Sequence, residues 1–178
     1  MTIYDYKFPF APALAAWAQL RHTWFAIDKV AQATLLEVDS TPESVAVLWA
    51  CRDYPEPLHP AEIARMVFRA PHTIASMLNR LEKEGLVVRI PKEPGHPFTE
   101  VKLTPKGVEV ASERIELLKD IIAEVMAVLS EEELEQLIEL TRTLQMQALE
   151  LLHIKVKKAP GKVKITMPVK VHKKSQNE

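Results

Sequence analysis

Apolar side chains recur at three- and four-residue steps through most of this chain, and the rhythm breaks at proline, glycine or capping residues. From Pro12, the series Trp17, Leu20, Trp24, Ile27, Ala31, Leu35 and Val38 predicts one long helix with a continuous buried stripe. Thr41-Pro42-Glu43 supplies an N-cap followed by proline at the first helical position, so a second helix runs through Val45, Leu48 and Trp49 to near Tyr54-Pro55. Pro60 and Pro71 open two shorter helices. Ile63, Val67 and Met66 are expected to face inward on the first, and Ile74, Leu78 and Leu81 on the second. Gly85 suits the left-handed position just past a helix end.

Leu86-Val87-Val88 and Glu100-Val101-Lys102-Leu103 then read as two strands, with Pro91, Pro94, Gly95 and Pro97 forcing the turn between them. Thr104-Pro105 restarts a helix whose a/d positions run Val108, Ala111, Ile115, Leu118, Ile122, Val125 and Leu129. Ser130 with Glu133 is a capping box for a last helix, with Leu134, Leu137, Thr141, Leu144, Ala148 and Leu151 as its seam. Two short helices, a tight turn and a strand pair make a winged helix-turn-helix. The fold class is therefore mainly α with a small β-wing, in four parts. Residues 1–40 hold an apolar-aromatic arm and a dimerisation helix, and 41–107 form the DNA-binding lobe. Residues 108–152 form the C-terminal dimerisation helices, and 153–178 are a basic tail.

The second short helix carries the chemistry. With Ile74 at the centre of its buried face, His72, Ser76, Asn79 and Lys83 lie nearly opposite, and Thr73 and Arg80 lie on the flanks. Any surface helix presents a polar face. A polar face on the second helix of this motif, followed by a wing, belongs in a major groove. There arginine suits guanine and asparagine suits adenine.

Charge sharpens the picture. Residues 1–152 hold 15 Lys/Arg against 23 Asp/Glu, whereas residues 153–178 hold 8 Lys against 1 Glu. An acidic body with confined positive surfaces suits a site-specific binder of double-stranded DNA better than a passive DNA coat. The tail reads equally as a disordered basic extension or as a two-stranded ribbon around Pro160-Gly161, and either form can contact phosphates. No run of 18 apolar residues occurs, so no membrane partner is expected, and a single cysteine fits a reducing cytoplasm. The six histidines lack ligand spacing, and there is no phosphate-binding loop or nucleophile elbow. A non-enzyme with no cofactor and no metal is expected.

On these residues the chain resembles the multiple-antibiotic-resistance regulator (MarR) family of bacterial transcription factors. The likeness rests on Leu58–Ala64, on Thr73–Arg89 and on Val101-Lys102-Leu103-Thr104-Pro105-Lys106-Gly107, and extends over about residues 12–152. It implies an obligate homodimer, pseudo-palindromic operators, a repressor's role, and release by a small aromatic or phenolic ligand bound between the dimer region and the DNA lobe. Carried over by position, it makes His72, Thr73, Ser76, Asn79 and Arg80 the major-groove readers. The family's wing carries an Asp-x-Arg-Asp-x-Arg pattern; here the turn is Lys92-Glu93-Pro94-Gly95-His96-Pro97, without arginine. Lys92 and His96 are left as substitutes, and Arg89 just before them is expected to make a structural or phosphate contact.

Two further sites are weighed. His22, Trp24, Trp49 and Arg52 are candidates to line the effector pocket, with Arg52 or His22 holding a carboxylate. Cys51 raises a thiol-sensor reading, against which a buried structural cysteine is favoured. A winged-helix module that binds protein through its exposed helix is the other alternative to DNA regulation.

Overall fold

The computed structural model describes residues 11–54, 58–91 and 99–154. Within them, six helices and one strand pair run in the order α1 (Pro12–Leu36), α2 (Pro42–Asp53), α3 (Pro60–Met66), α4 (Pro71–Lys83), β1 (Val87–Pro91), β2 (Thr99–Leu103), α5 (Pro105–Met126) and α6 (Glu131–Leu151). Five of these six helices begin with proline in the first turn. The caps are explicit as well. The Thr41 hydroxyl accepts from the Ser44 amide, Thr104 from Gly107, and Ser130 from Glu133. Gly85 takes φ +72°, and the Leu86 amide closes back onto the Leu81 carbonyl, ending α4 in a Schellman turn.

The strands pair antiparallel, Val87 opposite Leu103 and Arg89 opposite Val101, and Leu58 adds a bridge to Val101. The core sits in this lobe. Leu35, Val45, Leu48, Leu58, Ile63, Ile74, Leu78, Leu81, Leu86, Val101, Ala111 and Ile115 form one buried cluster. α5 packs on both α1 and α2, which ties the lobe to the long helices. Arg114 reinforces that tie, donating to the Val38 carbonyl at 3.2 Å.

Two close approaches set the joint between lobe and α5. The Thr104 amide and hydroxyl donate to the Leu86 and Gly85 carbonyls, and the Lys106 ammonium donates to the Glu84 carbonyl. A Cβ at Gly107 would lie 1.9 Å from the Leu86 oxygen, so α5 reaches this position only with glycine there.

Three sequence expectations are corrected. The stripe on α1 is not buried along its length: Ala31 and Leu35 are interior, but Trp17, Leu20 and Trp24 are exposed, Trp24 by 61%. On α3, Ile63 and Ala64 are interior and Val67 packs against the core as expected, but Met66 points to the surface. The α5 and α6 seams divide in the same way. Ala111 and Ile115 are interior, whereas Leu137, Leu144 and Leu151 are exposed and Leu149 is the one buried residue of α6. The described residues of one protomer leave these stretches of α1 and α6 uncovered. The arm 1–10, the wing tip that includes Lys92 and His96, and the tail beyond Ile154 lie outside the described residues.

Candidate nucleic-acid interface and effector cavity

α4 is held from behind. Ile74, Leu78 and Leu81 are fully buried, and this fixes which face looks out. His72, Ser76, Asn79, Arg80 and Lys83 are exposed on that face, and Thr73 is half-buried at its edge. The helix was legible in this detail because a strong 3.6-residue period leaves one solution for its rotation.

The polar face is not uniformly available. Arg80 Nε stands 3.5 Å from Glu84 Oε1 one turn on, an exposed pair that a phosphate or base can displace at little cost. Arg89 is held more firmly. Its guanidinium pairs with the Glu82 carboxylate, and Nη2 also donates to Asn79 Oδ1 at 2.6 Å. The hydrogen bond from Arg89 holds the Glu82 carboxyl below its ordinary range. Arg89 thus fulfils the structural part of its expected role, bracing β1 against α4. Sequence reading missed the bond to Asn79, because it joins residues ten apart on different elements.

A cavity of about 540 Å³ opens between α1, α2 and the α3–α4 turn. Trp24 and Trp49, two of the four residues named from the sequence, line it. His22 and Arg52 do not. Arg52 is turned onto Asp53, with Nε 2.6 Å from Oδ1, which holds the Asp53 carboxyl low. The cationic side chain in the lining is instead Arg69, whose Nη2 donates to Glu43 Oε1 at 2.9 Å. Burial is the largest single influence on the Glu43 carboxyl and raises it, but the hydrogen bond and charge of Arg69, together with a backbone amide, leave it below its ordinary range. Met66, Val67 and Phe68 complete the wall, so the turn that launches α4 is itself part of the cavity. Phe68 holds φ +51° at the C′ position of α3, a conformation glycine takes freely and a bulky side chain takes at a cost of about 1–2 kcal/mol.

Cys51 packs against the core, and burial pushes its thiol up to about 12. A thiolate is therefore scarce at neutral pH, which opposes the thiol-sensor reading. In the folded protein Cys51 is expected to resist a thiol-specific disulfide reagent at pH 7.5 and to react rapidly in denaturant. Fast labelling of the native state would reverse this conclusion. Among the described residues, no group of three or more His, Cys, Asp or Glu side chains is placed to hold a metal, and no helix is long and apolar enough to cross a membrane.

Rotation of α4, its wing and the flanking long helices define the class: a winged helix-turn-helix lobe carried on a helical scaffold. Its fold is shared with transcriptional regulators of the MarR family. A MarR-family regulator from Rhodococcus sp. RHA1 superposes with a TM-score of 0.67 at 16% identity, over 75% of this chain and 94% of that one. The organohalide-sensing regulator RdhR-CbdbA1625 in its ligand-free form gives 0.74 at 20% identity, over 84% and 92%. The S. aureus MepR–DNA complex gives 0.66 at 22% identity, over 77% and 98%. At these identities the likeness establishes a common fold. No family model and no curated sequence matches the chain.

Proposed function

We propose that this protein is a homodimeric, sequence-specific DNA-binding regulator of the MarR type. In this reading it represses nearby genes and is released by a small molecule in the cavity beside Trp24 and Trp49. The observation that carries the reading is the orientation of α4, whose buried Ile74, Leu78 and Leu81 leave His72, Ser76, Asn79 and Arg80 outward on a convex helix. The fold shared with a regulator solved on DNA supports it. So does the apolar surface left open on α1 and α6, where Trp17, Phe25, Ile138, Leu140 and Leu144 await a second copy. Release requires the effector to prefer the state that does not fit DNA, since equal affinity for both states shifts nothing. The cavity is suited to that, because its wall includes the turn preceding α4.

The test is fluorescence anisotropy on duplexes from the gene's own upstream region and on scrambled duplexes, across a salt series. Preference for one upstream site is expected to survive at salt that abolishes scrambled binding; equal affinity at every salt would reject the reading. Arg80→Ala is expected to relax discrimination at one position per half-site, at about 1–3 kcal/mol. Removing residues 155–178 is expected to weaken all duplexes alike. It should also flatten the salt dependence by about 0.9 for each phosphate the tail no longer neutralises. A tail deletion that altered only sequence preference would contradict its assignment to phosphates.

A further inference from the structure

The cavity beside Trp24 and Trp49 has a charge pattern opposite to that of a site for anionic phenols. Among the described residues, three carboxylates, Asp28, Glu43 and Asp53, line it against one cation, Arg69. Arg69 is already engaged by Glu43, and Asp53 by Arg52 from outside the lining. Asp28 is bonded to the Gln32 amide, a neutral donor that leaves its charge uncompensated. Beside these carboxylates stand two indoles, whose π faces attract cations: the Lys119 ammonium already stands 5.8 Å from the Trp49 ring, and the exposed Trp24 ring is the face left to a ligand.

We propose that this cavity binds an organic cation with a bulky aromatic or apolar body. The proposal rests on the reading of the chain as a ligand-released regulator and narrows its effector class. An entering anion meets Asp28, or it must draw Arg69 away and leave the Glu43 carboxylate partly desolvated without a partner. A cation at Asp28 faces neither cost. Drawn toward Glu43, it competes with Arg69, the residue that fastens the α3–α4 turn to α2 just ahead of Pro71. Occupation of the cavity therefore loosens the turn that sets the angle of α4.

Tetraphenylphosphonium and tetraphenylborate provide nearly isosteric probes of opposite charge. In the full-length, DNA-free protein, tetraphenylphosphonium is expected to quench tryptophan emission saturably, with a Kd at least roughly tenfold below that of the borate. Asp28→Asn is expected to weaken the phosphonium and narrow the gap, and Trp24→Leu to weaken it further. Equal or tighter borate binding would overturn the proposal, as would phosphonium affinity unchanged in both variants. Ligand-free operator binding by anisotropy is a separate readout. Its failure with charge-selective quenching intact would remove the regulator reading alone, and the converse result would remove only the organic cation.

Discussion

Gly107→Ala is expected to lower the melting temperature sharply, although alanine is the better helix former by about 1 kcal/mol. The opposing term is steric. The new methyl carbon would stand 1.9 Å from the Leu86 oxygen and 2.8 Å from its carbonyl carbon, both backbone atoms that cannot rotate away. Relief requires α5 to lift off the α4–β1 junction. That movement also strains the Thr104 and Lys106 bonds to the Leu86, Gly85 and Glu84 carbonyls. Overpacking of this kind costs about 1–3 kcal/mol and sometimes more. At about 2–4 °C per kcal/mol for a chain of this size, a net loss of about 2 kcal/mol lowers the midpoint by roughly 4–8 °C. Calorimetry checks it. An unchanged or higher midpoint would mean that the α5 start is not anchored at Leu86.

The largest functional effect is expected from Leu140→Glu/Leu144→Glu. Both side chains lie on α6, one turn apart, and are 65% and 58% exposed in the protomer. Charging them leaves the lobe core untouched, and surface substitutions of this kind usually change protomer stability by no more than about 0.5 kcal/mol. In the proposed dimer, four carboxylates would be forced into an apolar interface, at a desolvation cost far above anything the interface gives back. Sedimentation velocity is expected to show monomers. Operator affinity should then fall by about 10³-fold or more, toward the non-specific range, because two half-sites are no longer read together. The circular dichroism spectrum should retain its helical content. A dimeric double variant with full operator affinity would place the partner elsewhere.

How far the sequence could be read depended on the range of the interaction. Helix starts were legible because Thr41, Thr104, Ser130 and five prolines act within three residues of where they stand. The rotation of α4 was legible for the same reason, as its period is local. The α1 stripe was misjudged because periodicity shows that a face is apolar but not whether the protomer itself covers it. The cavity beside Trp24 and Trp49 was half legible. Its tryptophans were among the residues named from the sequence, but Arg69 and Glu43 are 26 residues apart and meet only in the folded chain. Nothing in the composition of Val67-Phe68-Arg69 announces a positive φ where glycine is the ordinary choice.

In the DNA-reading role proposed for α4, the brace from β1 also constrains how Asn79 meets a base edge. Pairing with adenine uses the carboxamide as a two-pronged fork, oxygen toward N6 and nitrogen toward N7. Here Arg89 Nη2 takes one of the two lone pairs of Oδ1, which pins the carboxamide while leaving the second lone pair and the amide nitrogen for a base edge. Shortening Arg89 would release the carboxamide, so in the proposed complex a side chain on a neighbouring strand sets the angle of the fork from behind.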